Sequence, residues 1–245
     1  MASKRELLYV LAVVFASLHI AMAGDPDILS DFVVPPNVVI VTADFFTYTG
    51  MRVLVGGSPP AAFKVLKASM AEFPALNGQS VSYAVLQFPA GSVNPPHTHP
   101  RASELLFLLS GSLEVGFVDT TNQLFTQNLQ EGDLFVFPKG LVHYQYNNDA
   151  KNPAMAVSAF GSANAGLVSV PNAVFNTSID DNILAKSFKT DVGTIQQIKI
   201  VKLQEKGCPT EVPKAKPQRI TQSSQQDKAS VIDEYRADEV EFRMK

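Results

Sequence analysis

Hydrophobic residues in the middle of the chain occur in short groups separated by turn-forming residues. Leu113, Val115 and Phe117 alternate with less apolar neighbours, which is the period-two pattern of a strand with one buried face. Other apolar runs are equally short, and they span residues 105–109, 134–137 and 155–160. Many short strands at close intervals predict an all-β domain, an antiparallel sandwich or barrel, over residues 61–178.

The segments on either side of this region have different patterns. Residues 24–60 are rich in proline and β-branched residues and are predicted to form an N-terminal arm, with short strands at 38–41 and 45–48. Between 179 and 203, apolar residues recur at spacings of three and four, which predicts one or two short C-terminal helices, with Asp180 and Asp181 placed to cap a start.

The two ends of the chain are predicted to lie outside this domain. Residues 1–23 have a basic start, an apolar run and an Ala-Met-Ala ending, which is typical of a secretory signal peptide cleaved before Gly24. The alternative is a membrane anchor, but the run is short for a span. We therefore expect an exported protein with no membrane partner after cleavage. Residues 204–245 are polar and proline-containing, and they predict a disordered tail.

Composition narrows the partners and the source of stability. The 245 residues carry a net charge of −3, with no cluster of basic residues, so nucleic acid is not an expected partner. Cys208 is the single cysteine, which excludes an intramolecular disulfide. An exported domain without a disulfide depends on its core, a bound metal or contacts between copies for its stability.

The candidate chemistry lies in three histidines and a glutamate. Outside the signal peptide, the chain has only His97, His99 and His143. Residues i and i+2 of a strand face the same side, so His97 and His99 can reach one metal ion. Glu104 precedes an apolar run, where an unpaired carboxylate is costly to bury. Together these residues predict a metal site, although an isolated His-x-His pair more often lies on a surface.

Three imidazoles and one carboxylate leave coordination positions open for water, dioxygen or a carboxylate substrate. Imidazole suits zinc, copper, iron and nickel, whereas a carboxylate and open positions also admit manganese. Ligand chemistry alone therefore leaves manganese, iron and zinc as alternatives.

The spacing of these residues resembles the two motifs of the germin family of cupins. The first motif runs from Gly91 through the His97–Glu104 ligands to Gly111, and the second runs from Gly132 through His143 to Asn147. The resemblance implies a single cupin jelly-roll β-barrel that binds Mn(II) through His97, His99, Glu104 and His143. It also implies a homohexamer, built as a trimer of dimers, that is exported to the plant apoplast or cell wall.

The chain also departs from the family's usual pattern. It lacks the N-terminal cysteine pair of most germins, as does one germin-like subgroup. Its one glycosylation sequon begins at Asn176, which is not where most germins carry theirs, and glycosylation there is expected only because the protein is predicted to be exported.

Resemblance to oxalate oxidases raises the question of substrate. Those enzymes have two pocket asparagines, of which Asn94 matches one, whereas Ala84 replaces the other and removes an amide donor. Oxalate oxidation is therefore disfavoured. We expect superoxide dismutation, producing hydrogen peroxide in plant defence, with Asn94 orienting a bound water or small anion. The alternatives are a non-catalytic, receptor-like wall protein whose metal stabilises the fold and, less favoured, a storage protein.

Overall fold

Besides Arg5, the computed structural model describes residues 24–204, with side chains through Ile200. Residues 24–202 belong to one compact unit, and the boundary with a second unit falls at residue 203, so that second unit lies almost wholly outside the described residues. The predicted signal peptide and the predicted disordered tail therefore also fall almost wholly outside the described part of the chain.

In the described part of the chain, ten strands form two five-stranded antiparallel sheets. The strands are β1 (Lys64–Ala68), β2 (Ser82–Phe88), β3 (Val93–Thr98), β4 (Glu104–Ser110), β5 (Leu113–Val118), β6 (Leu124–Leu129), β7 (Leu134–Phe137), β8 (Val142–Tyr146), β9 (Ala154–Phe160) and β10 (Val168–Ser169). The first sheet has the order β1-β2-β9-β4-β7 and the second has the order β10-β3-β8-β5-β6. This arrangement confirms the predicted all-β fold.

The core lies between the two sheets and follows from the alternation in the sequence. In β5, Leu113 and Val115 point inward and are almost completely buried, as are Leu106 and Leu108 in β4. Phe137, at the end of β7, is fully buried in the same cluster. Burying a side chain of this size contributes roughly 1.5–3 kcal/mol relative to exposing it, so this cluster is a main source of the domain's stability.

Gly111 makes the turn between β4 and β5 possible. Its φ angle of +83° lies in the left-handed region, where a side chain adds strain. A Cβ atom at this position would lie 2.7 Å from the carbonyl oxygen of Pro153 and 2.8 Å from the Cβ of Ala154. Both backbone conformation and space therefore require glycine here.

The N-terminal arm lacks the strands predicted at 38–41 and 45–48, and that prediction is wrong. Val39 and Ile40 are 94% and 77% exposed, and the chain forms 3₁₀ helices at Ala43–Phe46 and Gly50–Leu54 instead. Within the described residues no strand pairs with these segments, so their β-forming side chains have no sheet to join. Instead, Tyr48 fastens the arm to the barrel by donating to the Lys67 carbonyl at 3.2 Å.

Three α-helices follow the barrel in the described residues, and two of them begin within 179–203, which agrees with the one or two short helices predicted there. They are α1 (Val170–Phe175), α2 (Asp181–Ser187) and α3 (Val192–Gln204), and α1 lies inside the range 61–178 predicted for the barrel. Asp180 caps α2 as predicted, because its carboxylate accepts from the Asn182 backbone at 2.9 Å. No helix in the described part of the chain combines the length and apolar character needed to span a bilayer.

Candidate metal centre

The four predicted ligands come together inside the barrel from two sheets. His97 in β3 pairs directly with His143 in β8, and their ring centroids are 4.2 Å apart. His99 lies one residue beyond the end of β3, and Glu104 begins β4 in the other sheet. All four side chains are buried, and one candidate ligand atom from each lies within 4.8 Å of the others.

Each histidine ring is held through its Nδ1 atom by a backbone carbonyl. The Nδ1 of His97 lies 2.8 Å from the carbonyl oxygen of Pro95, and that of His143 lies 2.8 Å from the carbonyl oxygen of Leu141. The Nδ1 of His99 lies 2.5 Å from the carbonyl oxygen of Gly166. A carbonyl can only accept, so each Nδ1 is the donor, and in the neutral ring each Nε2 then keeps its lone pair for a metal.

The geometry around Glu104 favours a cation at the centre of the cluster. Its Oε2 atom lies 3.1 Å from the Nε2 atoms of both His99 and His143. The Nδ1 atoms of His99 and His143 donate to carbonyls. The Nε2 lone pairs of the two rings therefore face the Oε2 atom of Glu104, which is unfavourable unless a proton or a metal ion lies between them. Carboxylate and imidazole are an established donor set for divalent transition metals. The residues present therefore fit a divalent metal ion.

The second oxygen of Glu104 is held by a buried polar network. Its Oε1 accepts from the Ser158 hydroxyl at 2.5 Å and from the Gln145 amide at 3.4 Å. Gln145 in turn accepts from the Asn94 amide at 2.7 Å. Ser158 and Gln145 are fully buried. The network fixes the carboxylate so that Oε2 faces the histidines, and it links Asn94 to the site through Gln145.

The environment sets the charge of two ligands in the metal-free protein. Burial, followed by the neighbouring charge of His143, lowers the pKa of His97 to about 4. For Glu104, burial alone would raise the pKa, but hydrogen bonds with His143 and His99, which form in the metal-free protein when protons lie between the Nε2 atoms and Oε2, outweigh burial and lower that pKa to about 2. At neutral pH, His97 is therefore neutral and Glu104 is ionised, which are the states that a metal ligand needs.

A cavity of about 330 Å³ connects this cluster with the surface of the described domain. Ala84 and Asn94 both line it, so the two positions that the family resemblance compares with the oxalate oxidase asparagines face the same space. His97, His99 and Glu104 form the part of the cavity wall that belongs to the candidate metal cluster. An open cavity beside the ligands provides the access that a catalytic metal requires.

Three residues that contact the candidate ligands were not predicted from the sequence. Gln145 lies two residues after His143, so β8 places both side chains on one face, and that spacing was an available signal. Ser158 occupies an inward position among the buried residues of β9, which marks it as a polar group needing a partner. Phe137 stacks on His143 with ring centroids 4.4 Å apart, a contact that no local pattern reveals.

Asn176 lies far along the chain from these ligands. It is the C-cap that follows the last residue of α1, its backbone N–H donates to the Asn172 carbonyl at 3.0 Å, and it is half-buried. Glycosylation of Asn176 stays a prediction.

Two antiparallel sheets that enclose a His₃Glu cluster place the chain in the cupin class of proteins. In agreement, residues 59–196 match the protein family described as Cupin. The chain is 63% identical to germin-like protein 9-3 of Oryza sativa subsp. japonica over 206 residues, which cover 81% of this chain and 96% of that relative. It is 37% identical to germin-like protein subfamily 2 member 1 of Arabidopsis thaliana, covering 79% of this chain and 95% of that relative.

The solved structures agree with this assignment. A structure of oxalate oxidase is 31% identical and superposes with a TM-score of 0.64, covering 72% of this chain and 96% of that one. A complex of recombinant oxalate oxidase with glycolate is 30% identical, with a TM-score of 0.64 and the same coverage. The chain therefore belongs to the germin family within the cupin superfamily.

The metal-free protein is expected to lose stability as the pH falls from about 6.5 to about 4. Over this interval the unfolded state binds a proton on His97 and the folded state does not, so stability falls with pH. The lowered His97 pKa corresponds to a loss on the order of 3 kcal/mol. Glu104 adds a further loss between about pH 4.5 and 2.

Urea unfolding of chelator-treated protein at pH 7, 5.5 and 4 measures this loss. A His97→Gln variant serves as the control, because it lacks the titrating ring and is expected to show a smaller slope between pH 6.5 and 4. Equal slopes for the two proteins would contradict the role assigned to His97.

Proposed function

We propose that this chain is an exported, manganese-binding germin-like protein that converts superoxide to hydrogen peroxide and dioxygen in the plant apoplast. The observation that carries the proposal is the buried His97, His99, Glu104 and His143 cluster at the end of an open cavity. A manganese ion held by these residues would supply the one-electron redox change that dismutation requires.

The chain's own residues have distinct parts in this function. The three rings donate from Nδ1 to carbonyls, so in their neutral form they present the Nε2 lone pairs to a metal ion. Glu104 contributes a negative charge at neutral pH, and Ser158 and Gln145 keep its orientation constant. Asn94 donates to Gln145 from the cavity wall, so it supports the network and borders the space where water or a small anion would bind.

Oxalate oxidation ranks second. The fold resembles that of solved oxalate oxidases. However, Ala84 lines the cavity without an amide that could donate to a dicarboxylate. A lost positioned hydrogen bond costs about 1–3 kcal/mol, or roughly ten- to a hundredfold in affinity. We therefore favour superoxide over oxalate as the substrate.

Elemental analysis and two activity assays on one sample test the proposal. The mature chain is expressed without residues 1–23, its metal content is measured, and the same sample is assayed for superoxide dismutation and oxalate oxidation. Near-stoichiometric manganese with dismutase activity supports the proposal. Bound metal with neither activity favours a receptor-like or structural wall protein, and a folded protein with no metal contradicts the proposal.

The germin assignment also leads us to propose a homohexamer. The outer face of the first sheet exposes apolar side chains that pair across β4 and β7, among them Leu105 with Val136. Leu134 is 61% exposed on the same face. Large contiguous apolar faces on soluble proteins commonly mark contacts with another chain, and a second copy is the occupant that the family resemblance implies.

Light scattering after size-exclusion chromatography measures this assembly. Wild-type protein is expected to elute as six copies, and a Leu105→Lys/Val136→Lys variant as a smaller species, because two charges would be buried at the contact. Leu124→Lys is a matched control, since Leu124 is 54% exposed on the other sheet. A monomeric wild type at micromolar concentration, or equal elution of all three proteins, would contradict this interface.

A further inference from the structure

Strand β1 presents a lysine to the metal-site cavity. Phe63, Val65, Lys67 and Ser69 all line the cavity, as expected for alternate residues along one edge of the sheet. Among the described residues that line it, Lys67 alone carries a formal positive charge. Lys64 lies three positions earlier on the same strand and does not line the cavity, so the two lysines of β1 face opposite sides.

The register of β1 and β2 places Lys67 opposite the position that departs from oxalate oxidases. Lys67 pairs with Ala84, and directly opposed residues project to the same face of a sheet. Ala84 is 3% exposed, and its small side chain leaves room beside Lys67 within the cavity wall. The ammonium group of Lys67 thus borders the space in which the resemblance to oxalate oxidases would place an asparagine amide.

The other charged groups near this end of the cavity are already engaged. Glu72 has one carboxylate oxygen that accepts from the Ser69 backbone at 3.0 Å and from its hydroxyl at 2.5 Å. Its other oxygen lies 4.0 Å from the Lys67 Nζ, which is the outer limit of an ion pair. Arg101 donates to the carbonyl oxygen and side-chain oxygen of Asn164 at 2.6 and 2.8 Å. Lys67, with a side chain 61% exposed, is therefore the cation placed to meet an entering ligand.

We propose that Lys67 is a specificity-determining residue that binds the anionic group of a small carboxylate whose other end reaches the metal cluster. This inference rests on the proposed function, since it places the ligand between Lys67 and the His₃Glu site. A lysine ammonium attracts any anion without the directional demands of an amide. The cavity therefore selects for negative charge more than for the shape of oxalate, and Lys67 also attracts superoxide, which is itself an anion.

Calorimetric titration tests this role without relying on turnover. Oxalate and malonate are titrated into manganese-loaded wild type, Lys67→Met and Lys64→Met, with uncharged oxamide as a comparison ligand. At about 25 mM ionic strength, Lys67→Met is expected to bind both anions roughly 3- to 10-fold more weakly than wild type, because one nearby charge is lost. Lys64→Met removes the same charge from the opposite face and is expected to change affinity less than about twofold.

Two further measurements distinguish a charge effect from a change in shape. Lys67→Glu is expected to weaken anion binding more than Lys67→Met does. The difference in anion affinity between each variant and wild type is expected to shrink at about 0.5 M salt, because exposed charges are screened. Oxamide is expected to bind all variants equally. Equal anion affinities for Lys67→Met and Lys64→Met would overturn the proposal, as would wild-type protein that holds metal but binds neither dicarboxylate.

Metal content measured on the same samples keeps the two hypotheses separate. Folded wild-type protein that does not load manganese contradicts the proposed function. Metal-loaded protein whose anion affinity is indifferent to Lys67 contradicts only the role of Lys67.

Discussion

Replacing His97 with alanine is expected to lower metal affinity by at least ~100-fold and to abolish any metal-dependent activity. Altering a residue that merely supports a ligand typically costs 10- to 100-fold, so removing a ligand should cost more. His97 is 2% exposed and its ring centroid lies 4.2 Å from that of His143, so few groups can replace it. Elemental analysis after dialysis, together with a metal titration, measures the loss.

Thr98→Val is a matched control for this experiment. Thr98 lies between two ligands, and its buried hydroxyl has no hydrogen-bond partner in the described residues, so valine replaces it with nearly the same shape. This variant is expected to keep its metal. Retention of near-stoichiometric metal by folded His97→Ala protein would contradict the assigned site, and metal loss from both variants would show general disruption of β3.

Replacing Phe137 with alanine is expected to lower the free energy of unfolding by about 3–5 kcal/mol and to weaken metal binding as well. Truncating a buried phenylalanine removes its transfer free energy and leaves a cavity. Phe137 is 0% exposed, and its ring lies against His143 at 4.4 Å with an interplanar angle of 21°. Once the ring is lost, His143 can change orientation, and we expect a roughly tenfold loss of metal affinity.

Urea unfolding of the metal-free protein separates the packing effect from the metal effect. Phe135→Ala is the comparison variant, because Phe135 is half-buried and packs on Phe137 without a described contact to a ligand ring. We expect it to cost less stability than Phe137→Ala and to leave metal affinity unchanged. If both variants lowered metal affinity equally, orientation of His143 by Phe137 would be rejected.

Much of the barrel could be predicted because its signals are local. Leu113 and Val115 alternate with more polar neighbours, and a strand with one buried face must show that period. Asp180 could be assigned as a helix cap because a cap is formed with the next two or three residues. The ligand set was also predictable, since the His97–His99 spacing follows from strand geometry and the motif resemblance supplied the rest.

The N-terminal arm shows where local signals failed. Val39 and Ile40 favour strands, yet they are largely exposed and unpaired in the described structure. A strand needs a neighbour that accepts its backbone hydrogen bonds, and whether one is available depends on the whole chain. The end of the barrel also depends on which strands find partners, so the predicted barrel range 61–178 wrongly includes α1.

The sequence by itself determined the strand pattern, the turn glycines, the membership of the ligand set and the absence of an internal disulfide. Only the tertiary structure decided how these residues work together. Ser158 meets Glu104 across 54 positions in the chain, and Lys67 faces Ala84 because β1 and β2 pair in one register. Such contacts depend on three-dimensional packing between distant segments, and hydrophobic periodicity carries information only about each segment's own buried face.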